Sequence, residues 1–347
     1  SFYTVFANYT FIPKLVFNTT LSLDRTNSGY RSWTDPRSTD GSSDNGSMSR
    51  SMNQYRQLVW KNNLSYDLRF KEKHTMDFLA GYEVHEYRRD YLSGGIKDFA
   101  TVEKHNISNG ANISGLSGYD NSGWRLVSYL GRVNYNYDSK YYLGASARMD
   151  GSSRLHRDSR WGTFWSISGA WRISSEPFME AVSSWLNDTR LRVSYGSNGT
   201  LPSDYYGYLN LVKFGYKYNE KPGMLESQIA NKDMKWEKNY NLNIGLDFRL
   251  FDRVSTTVEF YNRNTSDLLM PMPISYTTGF SSMLTNIGKL RNTGIEVDIN
   301  ADIIRGKDFT WNSSLNLGHN KNKVISLADQ EEIIGSYTIR KVGLPYN

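Results

Sequence analysis

Apolar and polar side chains alternate strictly over runs of ten or more residues, and the connections between runs are by turns short and long. Together these features predict an all-β fold, a transmembrane antiparallel up-and-down β-barrel. A third observation agrees. Aromatic residues make up 14% of the 347 residues, with 25 Tyr and 9 Trp, which favours strands and interface belts over helical bundles. Mean hydropathy is −0.60, and no window approaches the roughly 18–20 apolar residues of a membrane helix. A barrel shows lipid only every second residue, so its average hydropathy stays low.

Residues 2–10 open the chain as a strand. Next, Trp60, Leu64, Tyr66, Leu68 and Phe70 oppose Lys61, Ser65, Asp67 and Arg69. Met76, Phe78, Ala80, Tyr82 and Val84 oppose Asp77, Gly81, Glu83 and His85. Val127, Tyr129, Val133, Tyr135 and Tyr137 then share a face, as do Tyr141, Leu143, Ala145, Ala147 and Met149. Residues 240–250 alternate between Tyr240, Leu242, Ile244, Leu246, Phe248, Leu250 and Asn241, Asn243, Gly245, Asp247, Arg249. The pattern resumes at 254–261, at 295–303 and at 309–318. The apolar faces carry no charge, and the runs exceed the five or six residues usual in soluble sandwiches. About twelve strands are expected, with a further one near 335–342.

Trp161 and Trp171 share the outward face of one strand, ten residues apart. At about 3.3 Å per residue and a tilt near 40°, they stand roughly 25 Å apart in height, the separation of the two aromatic girdles of an outer-membrane barrel.

Short links fall near 11–14, 71–74, 138–139, 251–253 and 305–307; long ones at 26–55, 88–123, 151–159, 198–238 and 265–292. At 174–188, Ser175, Pro177, Phe178, Ala181, Val182 and Trp185 predict a short capped amphipathic helix serving as a larger turn on the short-link side. Short periplasmic turns and long extracellular loops orient the chain, so the first strand descends from outside.

Several chemistries find no support. Cysteine is absent, which excludes thiolate metal sites, disulfides and Cys nucleophiles. The five histidines form no ligand pair, and Glu296, Asp298 and Asp302 read as a solvated lumen wall. Asp40 to Gly46 lacks calcium-loop spacing and reads as a polar loop. The net charge of +6 is spread without a basic run, so no nucleic-acid partner is expected. No catalytic residue, metal or cofactor is expected. Aromatic long loops, with Trp33, Tyr205 and Tyr206 among them, are the candidate substrate contacts; equally, they can pack the loops together.

The chain resembles the SusC/RagA family of TonB-dependent transporters of the Bacteroidetes outer membrane. The resemblance rests on Gly131-Arg-Val-Asn-Tyr-Asn-Tyr-Asp-Ser-Lys-Tyr-Tyr-Leu-Gly-Ala-Ser146, Arg148-Met-Asp-Gly-Ser-Ser-Arg154 and Arg160-Trp-Gly-Thr-Phe164. It continues through Leu191-Arg-Val-Ser-Tyr-Gly-Ser-Asn-Gly199, Gly245-Leu-Asp-Phe248, Asn286-Ile-Gly288 and Asn292-Thr-Gly-Ile-Glu296. It implies a 22-strand barrel of which residues 1–347 are a partial, central portion, with the N-terminal plug domain and the C-terminal strands outside this sequence. It further implies import of a bulky glycan or peptide, a SusD-like surface lipoprotein over the extracellular loops, and energy from a TonB complex. Arg132, Arg148, Arg172, Arg190 and Arg192 would then line the lumen, with Arg148 and Arg172 as substrate-contact candidates; ion pairing with wall carboxylates is the competing account. A passive porin or structural barrel component, and a soluble carbohydrate-binding β protein, are the alternative functions.

Overall fold

The computed structural model describes residues 1–335 and 337–346. Its strands are β1 (Phe2–Ile12), β2 (Leu15–Thr34), β3 (Ser47–Phe70), β4 (His74–Phe99), β5 (Gly110–Tyr137), β6 (Tyr141–Ser152), β7 (Trp161–Arg172) and β8 (Leu186–Thr200). There follow β9 (Leu211–Tyr218), β10 (Lys221–Gln228), β11 (Glu237–Leu250), β12 (Val254–Pro273), β13 (Ser282–Arg305), β14 (Thr310–Leu327), β15 (Glu332–Ile334) and β16 (Ile339–Lys341). Twelve of them form one sheet in the order β1 to β8, then β11 to β14, while β9–β10 and β15–β16 are separate two-stranded ribbons. The expectation of twelve membrane strands holds. The extra strand expected near 335–342 is instead the small β15–β16 ribbon, with Ser336 outside the described residues.

The chain divides into two compact units. The first takes in Ser1–Asn8, Asn18–Asn62 and Glu83–Val127; the second Tyr9–Phe17, Asn63–Tyr82 and the residues from Ser128 onward. In the first unit, Trp33 meets Phe99 edge-on at 4.7 Å and stacks on His105 at 4.8 Å, closing a small core with Phe99 and Met48. The second unit contains β6 to β14 and the register from which membrane geometry follows.

Within the twelve-stranded sheet three short turns carry consecutive left-handed residues: Lys71–Glu72, Asp138–Ser139 and Phe251–Asp252, all with φ between 49° and 56°. Two positive φ values in a row characterise the type I′ hairpin turn, whose twist matches that of the strands it joins. The long links are much shorter than the alternation suggests. β2 runs to Thr34, β4 to Phe99, and β5 begins at Gly110, so the connections are 35–46 and 100–109 instead of 26–55 and 88–123. Beyond the membrane both strand faces meet water, and the amphipathic signal stops while the hydrogen-bond ladder continues. Residues 174–188 also differ from expectation. Two 3₁₀ turns, Ile173–Ser175 and Pro177–Val182, replace the capped helix, and neither has a side-chain cap. A segment this short gains too little to nucleate an α-helix.

The register yields the strand tilt. Trp171 pairs with Leu191, Leu191 with Leu246, Leu246 with Val258, Val258 with Val297, and Val297 with Leu317. That line crosses five strand spacings, about 24 Å at roughly 4.8 Å each. The low tryptophan on β14 is Trp311, six residues (317 − 311) below Leu317, or about 20 Å along the strand. For Trp171 and Trp311 to sit at one membrane depth, the strands must tilt by about 40°, inside the range of outer-membrane barrels. The low belt is anchored by Glu176. Its carboxylate accepts from the Tyr141 hydroxyl at 2.6 Å and the Trp171 Nε1–H at 3.1 Å, with Lys140 at 3.7 Å. The two rings stack 6.4 Å apart, with their polar tips turned toward Glu176 in the short link. These bonds hold the Glu176 carboxyl below its ordinary range, Tyr141 contributing most.

A tilted sheet with one lipid face makes a depth-dependent prediction. Ile244→Arg, near mid-depth on β11, should destabilise the inserted protein by about 2–4 kcal/mol, whereas Tyr240→Arg near the upper edge should cost roughly 0–1 kcal/mol. Denaturant unfolding in liposomes reads both, and equal costs would contradict the assigned face and depth.

Candidate functional site

The polar face of β8, β11 and β12 places charged residues opposite one another by register alone. Asp247 pairs with Arg190 on one side and Thr257 on the other, while Gly245 lies between Arg192 and Glu259. Asp247 accepts from Arg192 Nε at 2.7 Å and Arg192 Nη2 at 3.0 Å, a bidentate fork. Arg190 Nε at 3.2 Å and the Thr257 hydroxyl at 3.1 Å complete its shell. Glu259 stands 3.6 Å from Arg192. A Cβ added to Gly245 would fall 2.7 Å from Arg192 Nη2, so this glycine leaves the room in which the guanidinium lies across β11.

Other lumen arginines are similarly occupied. Arg172 Nε donates to Asp188 at 3.1 Å, where Ser174 also donates at 2.7 Å. Arg148 Nε donates to Asp150 at 2.7 Å and its Nη2 to the buried Ser128 hydroxyl at 2.9 Å. Arg132 is exposed and enters no ion pair among the described residues. Thus four of the five arginines are paired to wall carboxylates, and these partners, which sequence reasoning did not assign, face the lumen with them.

Two hollows open in this wall. One, of about 490 Å³, is bounded by small residues (Gly144, Ser168, Gly245) and by Asp77, Asn134 and Arg192. Asn134 Nδ2 donates to Asp77 at 2.6 Å on its floor. The second, of about 430 Å³, is lined by polar groups including Asn241, Glu259, Tyr261, Arg263, Glu296 and Asn320. Arg263 Nε donates to Asn241 at 2.8 Å, Asn241 to Asn198 at 2.7 Å and Tyr261 to Asn320 at 3.1 Å. Amides and carboxylates arranged this way offer both donors and acceptors to a hydroxylated or amide-bearing solute.

Higher on the second unit, the loops have a core of Leu155, Met234, Trp236 and Phe164. Phe164 interrupts the polar face of β7 and meets Trp236 edge-on at 5.3 Å; Trp236 Nε1–H donates to the Arg160 carbonyl at 2.9 Å. That break in the alternation was the available sequence signal for this aromatic pair. Tyr205 lies beneath the Arg154 guanidinium at 4.8 Å and against Tyr206 at 6.2 Å, leaving Tyr206 exposed. Trp33, in the first unit, is half-buried within its loop core. Asp44, in the polar loop, is paired to Lys97 at 2.8 Å. Asp35, bonded by Arg37, has its carboxyl lowered to about 2. Among the described residues no three His, Asp or Glu converge as metal ligands.

A family model described as TonB dependent receptor-like, beta-barrel matches residues 2–339. The chain belongs to this family. Barrels of TonB-dependent receptors are outer-membrane proteins. TonB-dependent receptor P39 of Formosa agariphila is 34% identical over 345 residues, 95% of this chain and 32% of the relative. TonB-dependent receptor SusC of Bacteroides thetaiotaomicron is 35% identical over 288 residues, 79% of this chain and 28% of its own. The chain therefore spans about a third of the length of the curated relatives it matches. Among solved structures, the RagAB peptide transporter superposes with a TM-score of 0.89 at 28% identity, over 99% of this chain and 39% of that one. The siderophore receptor PiuA of Acinetobacter baumannii, at 11% identity and a TM-score of 0.58, shares the fold.

The arginine–carboxylate register in this receptor wall is testable. In a double-mutant cycle with Arg192→Gln and Asp247→Asn, unfolding free energies should show a coupling of about 0.5–3 kcal/mol. Additive effects would mean that the fork does not form.

Proposed function

We propose that this chain forms part of the wall of a SusC-like, TonB-dependent transporter that imports a bulky nutrient, a glycan or a peptide, across the outer membrane. The supporting observation is the fit to the RagAB peptide transporter over 99% of this chain at a TM-score of 0.89, together with kinship to SusC. The expected partners are a SusD-like lipoprotein seated on the extracellular loops and a TonB complex that supplies energy. The role is transport, with no catalysis by these residues.

In this reading four of the five wall arginines, each paired to a carboxylate, keep the lumen polar while limiting the free charge that would trap a solute. Exposed loop aromatics supply contacts in which a ring face covers a sugar ring or a peptide side chain. Trp33, Tyr205 and Tyr206 are the loop candidates, and Arg148 and Arg172 the wall candidates. Arg154 stacks over Tyr205, and Tyr206 meets Tyr205 edge-on with part of its surface exposed.

Uptake of labelled oligosaccharides and peptides by cells carrying the full-length protein tests the proposal. Import should stop when the proton gradient is collapsed, whereas a passive porin would continue to equilibrate the solute. Tyr206→Ala should raise the half-saturating concentration about tenfold, the equivalent of ~1.4 kcal/mol. Uptake that ignores the gradient would overturn the transporter reading.

A further inference from the structure

The lipid-facing side of β11 to β14 carries a cationic cluster just above the apolar band. The outward residues of β13 are Arg291, Thr293, Ile295, Val297 and Ile299; those of β14 are Leu315, Leu317, His319, Lys321 and Lys323. Arg291 and Lys323 are direct cross-strand partners, and Lys321 is opposite Thr293. All three cations are exposed. Like charges placed directly opposite on a sheet face repel, yet no carboxylate pairs with them among the described residues. The outward faces of β11 to β14 hold no Asp or Glu from Lys238 to Lys323, because Glu259, Glu296, Asp298 and Asp302 all turn inward. Among the described residues none of the three cations enters an ion pair. Arg291 instead donates to Asn264 at 2.8 Å, an outward amide one strand away.

Their depth is fixed by the tilt. Tyr240 lies just below the upper edge of the band on β11. Its register line runs through Asn264 and Arg291 to Lys323. Lys321 lies ten residues above Trp311, the same separation as Trp161 and Trp171, so the upper girdle crosses β14 near Lys321 and, at about 1.2 residues per strand for a 40° tilt, β13 near Arg291. At roughly 2.5 Å of height per residue, Lys321 and Arg291 stand within about 2 Å of that girdle and Lys323 about 5 Å above it. That is the headgroup layer on the long-loop, extracellular side.

We propose that Arg291, Lys321 and Lys323 form a docking site for a phosphorylated headgroup of the outer leaflet, its acyl chains lying along Ile295, Val297, Leu315 and Leu317. Lys238, outward on β11 and also just above the edge, flanks the site. A phosphate here neutralises the facing pair, and its lipid covers the apolar band directly below. Arg291 supplies a fork and the lysines point charges, the usual division of work around a phosphate. Basic clusters at the headgroup level attract anionic lipid by this same electrostatic logic.

The test uses the full-length protein in detergent micelles, each preparation supplied with one probe: diphosphorylated lipid A, the same lipid stripped of both phosphates, or inorganic phosphate. Native mass spectrometry counts retained lipid. The unaltered protein should retain the phosphorylated lipid. The Arg291→Gln/Lys321→Gln/Lys323→Gln variant, its folding checked by heat-modifiable migration, should retain at least about tenfold less. The stripped lipid should fall to the variant's level on the unaltered protein, a comparison that stands if the variant does not fold. Equal retention by the variant, equal retention of stripped lipid, or displacement by inorganic phosphate at matched concentration would overturn the proposal.

Discussion

Within hydrocarbon, no water is present to satisfy a backbone amide, so every N–H and C=O of a spanning segment must find its partner in the protein. The antiparallel ladder through β6, β7, β8, β11, β12, β13 and β14 answers that demand between its strands, and the rest of the structure depends on it. Once the ladder is fixed, alternate side chains must face opposite media. One set meets lipid and is apolar. The other meets the lumen and is free to carry Arg190, Arg192, Asp247 and Glu259. The tilt follows as well, since only near 40° do Trp171 and Trp311 reach a common depth.

Register, more than composition, generates the functional wall. Arg190 and Asp247 are 57 positions apart in sequence and become cross-strand partners because β8 pairs β11 past the β9–β10 ribbon. A one-residue slip would send Asp247 into lipid, and the cost of an unpaired charge there locks the pairing. Gly245 belongs to the same constraint, since its missing side chain is the space that Arg192 occupies. The lipid-facing cations Arg291, Lys321 and Lys323 are the counterpart on the other face. They stop at the depth where hydrocarbon gives way to headgroups.

The membrane part of the fold was legible in the sequence because lipid imposes period two. On β11, alternation over 240–250 falls inside Glu237–Leu250, and the short links at 138–139 and 251–253 coincide with type I′ turns. Where both faces of a strand are wet, that period has no cause, and the upper stretches of β2, β4 and β5 read as loop although they are strand. The turn at 174–188 misled for another reason: Phe178, beside Trp171, and Trp185 are both exposed, so their spacing serves the membrane edge and not a helical face. Of the site, the polarity of Arg148 and Arg172 could be read directly. Their carboxylate partners could not, because these depend on cross-strand register, and the contacts of Tyr205 with Arg154 and Tyr206 depend on loop packing.

The central claim is that one face of each strand meets lipid and the other meets water. The sequence holds no cysteine, so single cysteines can be placed at each position from 240 to 250 of the full-length protein, spin-labelled and reconstituted in liposomes. Collision with oxygen, which concentrates in lipid, should peak at 242, 244, 246 and 248. Collision with a water-soluble nickel chelate should peak at 241, 243, 245 and 247. Chelate access at both sets of positions, or a period other than two, would contradict the account.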